Sequence, residues 1–108
     1  MSAKPDTHSA TIFAALGDEI RLRLVARLCD EGPMSIARLT EGCGVTRQAI
    51  TKHLRVMDRA GVVRNKRHGC ESVWQLEEAR LAEARRYLDT ISKQWDSALA
   101  RLKALVEE

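Results

Sequence analysis

The stretch from Ser35 to Gly61, SIARLTEGCGVTRQAITKHLRVMDRAG, constrains the fold of this chain more than any other. Gly42 and Gly44 bracket Cys43 and predict the end of a short helix, because glycine reaches the φ > 0 conformations that helix C-caps and turns need. Thr46 stands where an N-cap belongs, and no Pro or Gly follows until Gly61. A helix, a glycine turn of three or four residues and a second helix make a helix-turn-helix pattern.

The second helix sorts by face. At 3.6 residues per turn, Ala49, Ile50, His53, Leu54, Met57 and Ala60 share one side, which can pack on a core. Arg47, Gln48, Thr51, Lys52, Arg55 and Arg59 share the other, which offers cations around Gln and Thr. A charged helix face is usually just solvated. Here the acids are missing: Gly44 to Cys70 holds seven Lys/Arg and one acid, Asp58, a local net of +6 in a chain whose total is +3. Such a basic segment on a near-neutral protein is an electrostatic footprint for nucleic acid.

Val62 to Leu76, VVRNKRHGCESVWQL, follows directly. Apolar Val62, Val63, Val73, Trp74 and Leu76 flank a polar tip, Asn65-Lys66-Arg67-His68-Gly69, which predicts strand, turn and strand. A basic hairpin after a helix-turn-helix is a wing, with Lys66 and Arg67 at its tip placed for phosphates.

These residues carry a resemblance. ALGDEIRLRLV, TRQAITKHLRVMDRAGVV and RHGCESVWQL, within Ala14 to Leu76, resemble the ArsR/SmtB family of winged-helix repressors. The C-terminal RRYLDTISKQWDSALARL is similar to a subgroup of that family with a long last helix. The resemblance implies a homodimer that binds operator DNA and releases it when an effector arrives. Metal-sensing members of that family use a Cys-x-Cys near the helix-turn-helix or Asp/His pairs on the last helix. This chain has neither, so the resemblance to the metal sensors fails at their ligands.

The last helix is the second strong signal. Glu77 to Glu107 holds no Pro or Gly, and Leu81, Leu88, Trp95 and Leu102 recur every seven residues with Ala84, Ile91, Ala98 and Leu105 between them. A 3,4 spacing over four heptads predicts helix pairing. A helix of that span is roughly 46 Å long, whereas a compact domain of this size has a radius of gyration of about 13 Å. The overhang would leave Trp95, Leu102 and Leu105 uncovered without a partner subunit. The competing arrangement is one bent helix covering its own core. Leu81, Leu88, Ile91, Trp95, Leu102 and Leu105 are therefore the candidate dimer interface.

The rest of the chain supplies support. Residues 1–6 read as a flexible tail and Thr7 to Leu16 as a first helix broken by Gly17. Asp18 is placed to cap a second helix carrying Ile20, Leu24 and Leu28, with Arg21, Arg23 and Arg27 on solvated surface. Gly32-Pro33 ends it, and Ser35 caps a third helix whose Ile36, Ala37 and Leu39 support the recognition helix. Cys29, Cys43 and Cys70 are too few and too scattered for a disulfide framework. Cys29 and Cys43 read as small core hydrophobes, Cys70 as exposed, and His53 as a hydrogen-bonded structural histidine. No apolar run approaches a membrane span or opens the chain as a signal peptide, which predicts a cytoplasmic protein.

The expected fold is mainly α with a small β-hairpin: one winged helix-turn-helix domain over 1–108 with a dimerisation helix over 77–107. The expected function is a dimeric, effector-released repressor on an inverted-repeat operator. Thr46, Arg47, Gln48, Thr51, Lys52 and Arg55 are expected on the recognition helix, and Lys66 and Arg67 on the wing. Gln48 and Thr51 suit base edges and the cations suit phosphates. No metal, cofactor or catalytic constellation is expected. One alternative puts the basic face on an acidic protein partner. Another makes the repressor a thiol or metalloid sensor through Cys29, Cys43 or Cys70.

Overall fold

The computed structural model describes residues 7–107, so the expected tail over 1–6 lies outside it. The elements are α1 (Thr7–Leu16), α2 (Glu19–Glu31), β1 (Met34–Ser35), α3 (Ile36–Thr40), α4 (Arg47–Arg59), β2 (Val63–His68), β3 (Glu71–Leu76) and α5 (Glu78–Glu107). The strands form one antiparallel sheet in the order β1-β3-β2. The architecture is a winged helix-turn-helix with a long C-terminal helix.

Local chemistry sets the helix starts. Asp18, Ser35 and Thr46 each accept a bond from the backbone N–H three residues on, at 3.1, 3.3 and 3.1 Å. Each thereby satisfies a donor that the first helical turn leaves free. The turn between α3 and α4 holds Gly42 at φ +69° and Gly44 at φ +74°, the left-handed region where glycine carries no Cβ penalty.

Nearly every element then contributes to one core. Ile12 of α1, Leu24 and Leu28 of α2, Met34 of β1, Leu39 of α3, Ile50, Leu54 and Met57 of α4, Trp74 of β3 and Ala84 of α5 are all buried in it. Five residues are too few for a helix to persist alone. The short α3 is held by its cap and by Leu39.

Four expectations need correction. First, β1 was not legible: Met34 and Ser35 pair with Trp74 and Val73, and two residues show no periodicity. Second, Cys29 is exposed, because it follows core-facing Leu28 and one helical step of about 100° turns it to solvent. Ala37 is exposed for the same reason of phase, leaving Leu39 and half-buried Ile36 to support α4. Third, the wing is tighter than the expected five-residue tip. β2 runs through His68, which pairs with Glu71, and only Gly69 and Cys70 form the turn. Gly69 at φ +65° suits the first turn position of a type II′ hairpin. Fourth, Arg21 and Arg27 are not plain surface cations, as their contacts below show.

α5 leaves the domain. Its first turns lie on α1, where Phe13 and Tyr87 rings stand 5.9 Å apart and Ala84 is buried. Leu81, expected in the dimer seam, packs half-buried on this chain's own core. From Leu88 onward the helix overhangs, giving extents of 67 × 25 × 21 Å and a radius of gyration of 18.1 Å. Leu88, Ile91, Trp95, Leu99, Leu102, Leu105 and Val106 are exposed there. No helix among the described residues is long and apolar enough to cross a membrane.

Candidate nucleic-acid interface

Burial of Ile50, Leu54 and Met57 fixes the rotation of α4. The opposite side then carries Arg47, Thr51, Arg55, Gln48, Arg59 and Lys52 within an arc of about 140° at 100° per residue. Thr46, Arg47, Gln48, Lys52 and Arg55 are exposed. Thr46 spends one oxygen lone pair on its cap and keeps its O–H for an outside acceptor. Thr51 is half-buried and donates its hydroxyl to the Arg47 carbonyl at 2.9 Å, so it can offer a partner only its methyl and its lone pairs.

The cations divide into two populations. Several away from this face are ion-paired: Arg23 with Glu19, Arg27 and Arg38 with Glu31, Arg64 with Glu77, Arg80 with Glu83 and Lys103 with Glu107, while Arg85, Arg86, Lys93 and Arg101 of α5 are not paired among the described residues. Among the described residues, no acid lies within ion-pair distance of Arg47, Lys52, Arg55, Lys66 or Arg67. With seven Lys/Arg against one acid between Gly44 and Cys70, α4 and the wing form a positive region to which a polyanion can be steered.

The wing register separates Lys66 from Arg67. Paired residues share a sheet face and neighbours along a strand alternate. Arg67, opposite Ser72, lies on the face of buried Val63 and Trp74. Lys66, opposite Val73, lies on the other face with Arg64 and His68. A phosphate lying against one face therefore meets one of the two cations, not the expected pair. Ser72 donates to Asn65 Oδ1 at 2.6 Å across the ribbon, and the Arg64–Glu77 ion pair ties its base to the approach of α5.

Two arginines position this face, and no local pattern marked them. Arg21 Nη1 stands 3.3 Å from His53 Nδ1, joining α2 to the back of α4 across 32 residues, and its Nε donates to the Ala15 carbonyl. His53 is thereby hydrogen-bonded, as expected. Arg27 Nη1 donates to the carbonyls of Arg38, Leu39 and Glu41 at 3.2, 3.1 and 3.5 Å, closing the end of α3. Cys43 is half-buried and donates to the Thr40 carbonyl at 3.0 Å, while Cys70 is exposed at the wing turn. The three thiols are free, and the described residues bring no three His, Cys, Asp or Glu side chains together as a metal group.

A recognition helix with an unpaired basic face, beside a basic β-ribbon, is the architecture of DNA-binding transcriptional regulators. Residues 16–65 match the helix-turn-helix domain family. The HTH-type transcriptional regulator Rv2034 of Mycobacterium tuberculosis is 33% identical over 95 residues, 88% of this chain and 85% of that protein. An ArsR-like transcriptional regulator from Rhodococcus sp. RHA1 superposes with TM-score 0.77 at 34% identity, covering 91% of this chain and 92% of that one. The transcriptional repressor BigR from Xylella fastidiosa superposes with TM-score 0.60 at 29% identity over 76% and 83% of the two chains. The chain belongs to the ArsR family of winged helix-turn-helix transcriptional regulators, and DNA is its ligand.

Proposed function

We propose that this regulator is a homodimeric repressor that binds an inverted-repeat operator and is released by an effector. The observation that carries the DNA contacts is the exposed face of α4, where, among the described residues, Arg47, Lys52 and Arg55 stand without ion-pair partners in a segment whose net charge is +6. In this reading the N-terminal residues of α4 enter the major groove. Gln48 reads a base edge, Arg47, Lys52 and Arg55 hold phosphates beside it, and Lys66 or Arg67 holds the next phosphate along. The exposed stripe from Leu88 to Val106 supports the dimer, since contiguous apolar surface on an overhanging helix calls for cover. BigR's description as a repressor supports the direction of control.

The test is duplex titration over a salt series by fluorescence anisotropy. If each subunit neutralises about four phosphates, log K falls against log salt with a slope of roughly −7 for the dimer. Lys52→Ala should weaken all sequences alike and make the slope shallower by about 1 to 2 for the dimer. Gln48→Ala should instead lose about 1–3 kcal/mol of discrimination at one base position in each half-site. A parent slope shallower than about −2 would remove the phosphate contacts from this account.

A further inference from the structure

The wing has two unlike faces. The register pairs Val63 with Leu76, Asn65 with Trp74 and Arg67 with Ser72, so these six residues share one of them. Its inner end is Val63 and Trp74, buried in the same core as Ile50, Leu54 and Met57 of α4. Its outer end, the exposed Asn65, Arg67 and Ser72, therefore lies on the α4 side of the sheet. That face holds no acid. The opposite face carries Arg64, Lys66 and His68, with Glu71 directly across from His68 and Glu77 bound to Arg64.

The geometry points to Asn65 and Arg67 as readers of A·T base pairs in the minor groove beside the major groove that α4 occupies. This rests on the placement of α4 given above, and it takes Arg67 rather than Lys66 as the wing residue that meets the same duplex.

The donors set the base preference. Ser72 Oγ stands 2.6 Å from Asn65 Oδ1, a separation suited to O–H···O. The hydroxyl donates to the carboxamide oxygen and holds the group in place. Both Nδ2 hydrogens of Asn65 are left without a partner among the described residues, as are the guanidinium N–H groups of Arg67. In the minor groove A·T and T·A offer only acceptors, whereas G·C adds the guanine N2 amino donor. A strip of donors is matched by the first and opposed by the second. A narrow A·T-rich groove also has an enhanced negative potential, which attracts arginine. The reach fits as well. At about 3.3 Å per residue Arg67 lies roughly 13 Å along β2 from Val63, and its long side chain extends beyond that. Half a turn of duplex, from a major groove to the next minor groove, is about 17 Å.

The test uses the full chain and a duplex that it selects from a random-sequence library. Positions about five base pairs from the α4 contact, half a helical turn, should be rich in A·T. Replacing them with G·C should weaken binding about tenfold. Inosine·cytosine presents the major groove of G·C without the N2 amino group, and should bind like A·T. Asn65→Ala and Arg67→Ala should each bring the ratio of A·T to G·C affinity down toward one. Asn65→Asp keeps the oxygen that Ser72 bonds but loses the amide donors, and should do the same. Ser72→Ala should lower the ratio by freeing the carboxamide, and Ser72→Thr, which keeps the hydroxyl, should retain it. Lys66→Ala acts on affinity only through charge and should keep the ratio. Inosine·cytosine binding as weakly as G·C would put the readout in the major groove. G·C bound as tightly as A·T would leave the wing on phosphates alone. A ratio unchanged in both Asn65→Ala and Arg67→Ala would place the discrimination elsewhere. Each of these overturns the minor-groove reading while the selected duplex still reports α4 in its groove. Failure to select any sequence overturns the placement of α4 itself.

Discussion

Trp95→Asp is the sharpest test of the overhanging helix. Trp95 is 65% exposed on the isolated chain. Taking about 250 Å² for the whole side chain, roughly 160 Å² per protomer is open to burial, worth about 4 kcal/mol at ~25 cal/mol per Å². Two protomers double that to an upper bound of about 8 kcal/mol, and ordering of side chains at the interface takes back part of it. The substitution also places a carboxylate where a seam would desolvate it, which adds cost. Even a loss of about 2.8 kcal/mol weakens the dimer ~100-fold. Sedimentation over a dilution series should show the parent dimeric and Trp95→Asp monomeric. Lys93→Ala, on the same helix but off the stripe, should match the parent. DNA affinity should fall with the dimer, because two half-sites bound separately lose their avidity. A Trp95→Asp protein that sediments as an intact dimer would refute the seam, and a parent that stays monomeric at its highest soluble concentration would refute the pairing altogether.

Other consequences are simpler to state. A two-fold dimer presents two identical recognition helices, so footprints should fall on inverted repeats with half-sites about one or two turns apart; protection of single unrepeated sites would contradict this. Gly61 has φ +78°, and a Cβ there would stand 2.7 Å from Arg80 Nε and 3.2 Å from its Cγ. Gly61→Ala should lose about 1–2 kcal/mol through left-handed strain, plus the displacement of Arg80, and so melt below Gly42→Ala, where φ is +69° and the space is open. Equal melting temperatures would show that the Arg80 approach costs nothing. The Arg21 backbone N–H donated to Asp18 holds its carboxyl below the ordinary carboxylate value, with burial opposing and the nearby His53 and Arg21 charges assisting. A depressed carboxylate stabilises the fold fully above its ordinary value and loses that contribution as pH falls through the lowered one. Asp18→Asn should flatten the acid limb of unfolding free energy against pH, and an unchanged limb would remove Asp18 from it.

Much of the fold was legible because its signals are short-range. A cap is one side chain and a backbone N–H three residues away, so Asp18, Ser35 and Thr46 announce three helix starts within single turns. The face of α4 is legible because one rotation per 3.6 residues converts sequence order into direction. The unbalanced charge of Gly44 to Cys70 is likewise plain in the chain. Parts of the candidate site were less legible. Thr51 stands on the exposed side of α4, yet its hydroxyl turns back to Arg47, and its hydrogen-bonding role is narrower than its position suggested. Lys66 and Arg67 are neighbours in sequence, but the pleat of β2 sends them to opposite faces, and only the register fixes which.

The sequence by itself determined the helix-turn-helix, the wing, the overhanging last helix and the location of the uncompensated positive charge. Each depends on periodicity, a cap, a glycine conformation or a sum of charges, all local along the chain. Tertiary structure alone decided that Met34 and Ser35 complete the sheet, that Cys29 faces out, and that Leu81 packs on its own core rather than on the overhang. It alone also joined Arg21 to His53 and Arg27 to the end of α3. Those facts depend on which distant segments fold against each other, and an arginine on a helix carries no mark of whether water, an acid or a remote carbonyl will meet it.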